Sequence, residues 1–178
     1  MDAVPSTDLG TYVEHDGRPA VRFVRTYPHP VERVWRAVSD PAELAHWFPS
    51  TVTIEPREGG RITFSADPYA VDAEGVVLAW EPPHRLAFSW YEDEVHLTLE
   101  EADGGCRLTL LNVLDDRAAA ARNASGWFVC LRSLARLLDG RPGSGPHGDD
   151  GDDWQPVYAA HVATGLPSGA EIPKATDG

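Results

Sequence analysis

Only a few side chains in this sequence could exchange protons with a bound molecule, and they are scattered. His46 stands in the run AHWF and His96 in the run VHLTL, while Tyr91 and Asn123 add a phenol and an amide. A histidine on a cavity wall can act as a general acid or base. However, a lone histidine is more often a satisfied or solvent-facing residue, and alternation with apolar neighbours turns His96 towards solvent. We therefore assign no catalytic residue.

The sequence contains none of the common metal, nucleophile or dinucleotide motifs. HExxH, paired CxxC, GxSxG and GxGxxG do not occur. The run GDDGDD lacks the spacing and the final Glu of an EF-hand. Cys106 and Cys130 lie 24 residues apart without a CxxC, which predicts two buried thiols rather than a disulfide. We expect no metal and no cofactor.

Three tryptophans are candidates for contact with an apolar ligand. Trp80 and Trp90 fall in predicted strands and Trp127 in a predicted helix, so the three could converge on a small molecule. The alternative is that they simply fill the core. Asn123 shares the helix face of Trp127 and would need a ligand or a partner there, such as a backbone carbonyl.

Hydrophobic periodicity indicates the elements that must position these residues. The first strands are predicted on either side of an Asp16-Gly17 turn, in LGTYVEHDGRPAVRFVRTY. Pro30 begins a short helix, in which the valines and the tryptophan of VERVWRAV form one apolar stripe. Asp40 can cap a second short helix, which Pro49 prevents from continuing. From Thr51 onward the pattern changes to period-two alternation with short links, which predicts antiparallel strands.

A long helix is predicted from Asp115 or Asp116 to Asp139, with Gly140 after it. Such a helix of roughly 24 residues is about 36 Å long, enough to lie across a sheet. The predicted fold class is therefore α+β: a curved antiparallel sheet of about six to seven strands around a long C-terminal helix, with two short helices after the first strands.

Length and composition predict a single domain over residues 1–140. A flexible Gly/Pro/Asp-rich linker should follow over 141–153, then a tail over 154–178 with a short docking helix and a disordered end. The net charge of −13 makes nucleic acid an unlikely partner. No apolar run approaches a membrane span and the N-terminus does not resemble a signal peptide, so we expect a cytoplasmic monomer or homodimer without membrane insertion.

Four runs carry a resemblance to a known family: YPHPVERVWRAVSDPAELAHWF, GGRITF, WEPPHRLAFSW and ASGWFVCLRSLARLLDG. In this order they resemble the SRPBCC or START-like superfamily. Within it the similarity is to the AHSA-type branch, named after the activator of the ninety-kilodalton heat-shock protein's ATPase. The resemblance covers about residues 9–140 and more loosely 154–158.

The resemblance implies a helix-grip fold with a hydrophobic cavity between sheet and long helix, entered near the two short helices. Trp35 would anchor the helix pair, while Trp47 and Phe48 would close one end of the cavity. The expected ligand contacts are Trp47, Phe48, Phe64, Trp80, Phe88, Trp90, Asn123, Trp127, Cys130 and Leu131. The implied function is binding of a hydrophobic or aromatic molecule, such as a lipid or polyketide-like metabolite. The alternatives are a cyclase, aromatase or hydrolase reaction, and stimulation of a chaperone ATPase.

Overall fold

The structure is a computed structural model that describes residues 4–148 and 154–175. Within them, one antiparallel sheet has the strand order β1-β2-β8-β7-β6-β5-β4-β3. The strands are β1 Thr11–His15, β2 Arg18–Tyr27, β3 Thr51–Ile54, β4 Arg61–Ser65, β5 Ala73–Glu81, β6 Arg85–Trp90, β7 Asp93–Ala102 and β8 Gly105–Val113. The helices are α1 Val31–Ser39, α2 Pro41–Leu44, α3 Ala120–Leu138 and α4 Trp154–Ala163.

The helix-grip fold is confirmed, with two differences in detail. Eight strands are found in the described part of the chain instead of six or seven, because each period-two run after Thr51 forms its own strand, even the four-residue β3. The long helix starts at Ala120, later than expected. Asp116 caps a short 3₁₀ turn, Arg117–Ala119, by accepting a hydrogen bond from the Ala118 N–H at 2.9 Å.

One face of the curved sheet packs against α3. Inward residues of the central strands, such as Phe23, Leu97 and Leu110, are buried against the α3 residues Phe128 and Leu134. Alternate residues on the same strands point to the opposite face. The sheet therefore has an inner face that carries the core and an outer face turned away from α3.

The two short helices close one end of this core. Val34 and Val38 of α1 are fully buried. Asp40 caps α2 as predicted, since its Oδ1 accepts a hydrogen bond from the Ala42 N–H at 2.9 Å. Trp35 is half-buried and packs edge-on against Trp80, with 5.2 Å between ring centroids.

The C-terminal tail packs against α3 through α4. His161 is fully buried, and its Nε2 accepts a hydrogen bond from the Gly10 N–H at 3.0 Å. Its Nδ1 lies 3.0 Å from both Ser125 Oγ and the Val157 carbonyl. One imidazole therefore joins the start of β1, α3 and α4, and burial lowers the pKa of His161.

The predicted linker and tail lie partly outside the described residues, namely 149–153 and 176–178. Residues 141–148 run back over the end of the helix pair, where His147 Nε2 lies 3.0 Å from the Pro49 carbonyl. The boundaries of the predicted domain stay a prediction. Every helix in the described ranges is too short or too polar to cross a membrane.

Candidate functional site

Six aromatic rings meet inside the grip and contact a seventh, the exposed Tyr91, in the turn after β6. Together they form what we call the aromatic cluster: Trp47, Phe48, Phe64, Phe88, Trp90, Tyr91 and Trp127. Phe48, directly after the second short helix, is central, because its centroid lies 5.8–6.1 Å from those of five other rings. Trp90 and Trp127 are 5.2 Å apart. Six of the ten predicted ligand contacts belong to this cluster.

Three further predicted contacts do not belong to the cluster. Cys130 and Leu131 are buried on α3, and burial raises the pKa of the Cys130 thiol. Trp80 packs on Trp35 of α1 instead. Trp80 pairs with Leu86 near the start of β6, whereas Trp90 is the last residue of that strand, so the antiparallel register keeps the two tryptophans apart.

Asn123 belongs to a polar network at the edge of the aromatic cluster. Its Nδ2 donates to Asp93 Oδ2 and to Asn112 Oδ1, both at 3.1 Å. Asn112 Oδ1 also accepts a hydrogen bond from Trp127 Nε1 at 3.0 Å. The Asn123 amide is therefore bonded to side chains, not to the backbone carbonyl considered as the alternative.

Asp93 anchors this polar network from β7. Its Oδ1 accepts a hydrogen bond from the Asp115 N–H at 2.9 Å, and its Oδ2 accepts from Asn112 and Asn123. Burial raises the pKa of Asp93, while the hydrogen bonds and the charge of Arg122 oppose that effect. Neither Asp93 nor Asn112 was among the residues predicted for the site. The available signal was the polar Asn112 at an inward position of β8.

The indole N–H of Trp90 is a buried donor with no hydrogen-bond partner in the described part of the chain. A buried donor without a partner costs about 1–3 kcal/mol relative to its hydrated state. An acceptor atom of a ligand would remove that cost. Trp90 is thus the point in the aromatic cluster at which a polar ligand atom is favoured.

Among the described residues, the void beside the helix pair is much smaller than the open cavity that the resemblance implies. The void at that position has a volume of about 10 Å³ and is lined by Val38, Leu44, Trp47, Phe48, Leu86 and their neighbours. That is about the space of a single water molecule. At this place aliphatic side chains, together with the rings of Trp47, Phe48 and Phe88, fill the space that a ligand would need.

The candidate proton-transfer residues are held by other contacts. His46 Nδ1 lies 3.4 Å from the Gly143 carbonyl. The Tyr91 hydroxyl donates to the Val71 carbonyl at 2.6 Å, and burial raises the pKa of Tyr91. His96 lies on the outer face, as its alternation predicted, with Nε2 2.8 Å from Glu94 Oε2. Among residues 4–148 and 154–175, no group of three or more His, Cys, Asp or Glu could hold a metal ion.

Solved structures of similar fold exist. CalU16 from Micromonospora echinospora is 25% identical, with 87% of this chain and 92% of that chain covered and a TM-score of 0.68. A protein from Mesorhizobium loti, MLL2253, is 27% identical, with 68% of this chain and 97% of that chain covered and a TM-score of 0.61. DynU16, a protein of the dynemicin biosynthetic locus, is 28% identical with a TM-score of 0.63. There 71% of this chain is covered but only 50% of DynU16.

No curated protein matches this sequence. The family described as "Activator of Hsp90 ATPase homolog 1-like protein" matches residues 28–139, which is more than half of the chain. These residues run from just before α1 to the end of α3 and include the whole aromatic cluster. The chain therefore belongs to the Activator of Hsp90 ATPase homolog 1-like family, the AHSA-type branch of the SRPBCC superfamily.

Proposed function

We propose that this protein binds a flat aromatic small molecule, of the polyketide-like kind, at the aromatic cluster. The observation that carries the proposal is the buried, unpartnered indole N–H of Trp90 within a group of seven aromatic rings. Aromatic walls with a few placed polar groups are the usual composition of small-molecule sites. The biosynthetic locus of the similar DynU16 supports the same ligand class.

Binding at the aromatic cluster requires that the grip opens. A void of about 10 Å³ holds no organic molecule, so the ligand has to displace side chains. Phe48 is suited to this movement, because it follows the four-residue α2 and contacts five other rings that a ligand could contact in its place. The opening costs free energy and lowers the apparent affinity.

The polar part of the ligand should be a hydrogen-bond acceptor. Trp90 offers its N–H to a carbonyl or hydroxyl oxygen, while the Trp127 N–H is already bonded to Asn112. The Asn123–Asp93 network holds Asn112, and through it Trp127, in a fixed orientation. The ligand class is thus a fused aromatic ring system with at least one acceptor oxygen.

A matched pair of probes tests this proposal by calorimetric titration. 9-Fluorenone and fluorene have nearly the same shape, but only the ketone can accept a hydrogen bond from Trp90. We expect fluorenone to bind about 2- to 10-fold more tightly, the factor that one net hydrogen bond provides. Trp90→Phe should abolish this preference. Trp154→Phe, which changes an indole stacked on Tyr158 of α4, should keep it.

Two results would count against the proposed function. If neither probe binds, the aromatic cluster is only core. If Trp90→Phe leaves the preference for the ketone intact, the ligand does not meet that N–H. Mass spectrometry of small molecules released by denaturing the freshly purified protein would identify a natural ligand directly.

Proton transfer, as in a cyclase, is the second candidate function, and the raised pKa of the half-buried Asp93 favours it. Both carboxylate oxygens already accept hydrogen bonds, which supports a positioning role instead. Turnover of an aromatic polyketide that is lost in Asp93→Asn, with binding retained, would support the enzyme. The cytoplasmic location and the monomeric or dimeric state stay predictions.

A further inference from the structure

A groove with a volume of about 440 Å³ lies on the outer face of the sheet, which points away from α3. Its floor consists of two cross-strand residue pairs on β7 and β8: His96 lies beside Leu111, and Thr98 lies beside Thr109. Pockets that hold small molecules usually measure about 300–1,000 Å³. The groove therefore has the volume of a ligand site, and the sheet separates it from the aromatic cluster.

The end of the β1–β2 hairpin forms one wall of the groove. β1 is three strands away from β7, which corresponds to about 14 Å in a flat sheet. Nevertheless, the rings of His15 and His96 are only 5.5 Å apart, and Arg18 Nη1 lies 3.3 Å from Glu94 Oε1. The hairpin end is thus bent over the outer face, which brings Val13 and His15 into the groove.

Two arginines give the groove a positive character. Arg22 on β2 and Arg85 on β6 line it from strands on either side of the floor. The Arg22 guanidinium has no ion pair or hydrogen bond within the described residues, whereas Arg85 makes a 3.5 Å pair with Glu81 in which both side chains are about half exposed. Such exposed ion pairs contribute little to the stability of the protein. Glu14 is the carboxylate of the lining.

We propose that this outer groove binds a small organic monoanion, a carboxylate with an apolar body. A guanidinium offers two parallel N–H groups that match a carboxylate. Val13 and Leu111 provide apolar contact, and the Thr98 and Thr109 hydroxyls can donate hydrogen bonds. A dianion such as a phosphate monoester fits less well, because the lining has only two arginines beside Glu14, Arg85 is already paired with Glu81, and the protein has a net charge of −13.

The test is a titration with benzoate, followed by the ring signals of His15 and His96 in two-dimensional NMR. Neutral benzamide and dianionic phenyl phosphate are the comparison probes. We expect Arg22→Ala and Arg85→Ala each to weaken benzoate binding about 10-fold, as for loss of a charge-assisted hydrogen bond. Arg107→Ala should change binding less than about twofold, because Arg107 lies outside the groove, paired with Glu100 on the same sheet.

Each contrary outcome overturns the proposal. Benzoate that leaves both histidine signals unchanged does not occupy the groove. An equal loss in Arg107→Ala would show unspecific attraction to cations, and equal binding of benzamide would show that charge is not recognised. Tighter binding of phenyl phosphate would assign the groove to dianions. Trp90→Phe should leave benzoate binding unchanged, so this site and the aromatic cluster are tested separately.

Discussion

The indole of Trp47 has no exposed surface, and its N–H donates to the Ala37 carbonyl of α1 at 2.9 Å. The ring therefore ties the segment after α2 to α1 and also supports Phe48 in the aromatic cluster. Its burial is that of a core residue, although the family resemblance implies a place at the cavity entrance. A ligand that enters here would move Phe48 more easily than Trp47.

Trp47→Ala should lower the free energy of unfolding by about 3–5 kcal/mol, since it removes a fully buried indole and its hydrogen bond. Urea unfolding followed by circular dichroism measures this. Trp35→Ala is the control, because Trp35 is only half-buried and should cost clearly less. A loss below about 1 kcal/mol for Trp47→Ala, typical of surface positions, would show that this indole is not part of the core.

His161 makes stability depend on pH in a defined direction. Burial lowers its pKa in the folded protein, so the unfolded chain binds the proton more readily. The contribution to stability is complete above the unfolded pKa of about 6.5 and is lost as the pH falls from there through the folded pKa. A protonated ring would also place an N–H against the Gly10 N–H.

We expect the free energy of unfolding in urea to fall between pH 7.5 and pH 5.5, and to fall less in His161→Gln. The Gln variant should also be less stable than the natural chain at pH 7.5, because it loses the bridge between Gly10 and α4. His29→Gln, at a partly exposed site, should keep the natural pH dependence. If the free energy of unfolding depends on pH equally in the natural chain and in His161→Gln, His161 is not the source of the pH dependence.

At the scale of the elements, α4 completes the core beside α3, next to the start of β1 and to Phe23 of β2. Val157, His161 and Leu166 are buried there, and the Pro167 carbonyl accepts a hydrogen bond from the Ala121 N–H at 2.9 Å. A chain that ends at Gly140 should therefore have a lower Tm than the full chain. A chain that ends at Pro173 retains these contacts and should melt like the full chain. Equal Tm values for all three chains would show that residues 1–140 are sufficient for the full thermal stability.

Most elements follow from periodicity, since the turn at Asp16-Gly17, the cap at Asp40 and the alternation after Thr51 are local signals. Local patterns do not reveal strand register, which is why Trp80 was grouped with Trp90 although Trp80 pairs with Leu86, near the opposite end of β6 from Trp90. Nor do they reveal the bend of the first hairpin over the outer face. That bend depends on contacts such as Arg18 with Glu94, 76 positions apart.

For the whole molecule, a net charge of −13 is the dominant electrostatic feature. Like charges repel one another more in the compact state than in the unfolded chain, and salt screens this repulsion. The urea midpoint at pH 7.5 should therefore rise when NaCl is increased from 0.02 to 0.2 M. A falling midpoint would show that attractive pairs, such as Arg33 with Glu43 at 2.6 Å, outweigh the net repulsion.

The family resemblance implied six of the seven rings that meet in the aromatic cluster, but it also included Trp80 and did not indicate how little space the rings would leave. Six of the ten expected contact residues lie in one cluster, because inward positions of β4, β6 and α3 meet the segment after α2 that carries Trp47 and Phe48. The remaining volume, about 10 Å³, is a small difference between a large enclosed space and the large side chains within it. Residue types alone do not determine that difference.

The buried thiol of Cys130 makes the proposed opening of the grip measurable in time. Burial raises its pKa and keeps it protonated, so alkylating reagents react with it only when the side chains packed around it move apart. The chain has two cysteines, and Cys106→Ala leaves Cys130 as a single reporter. The alkylation rate of that variant then counts opening events, and a ligand that holds the grip shut will slow it.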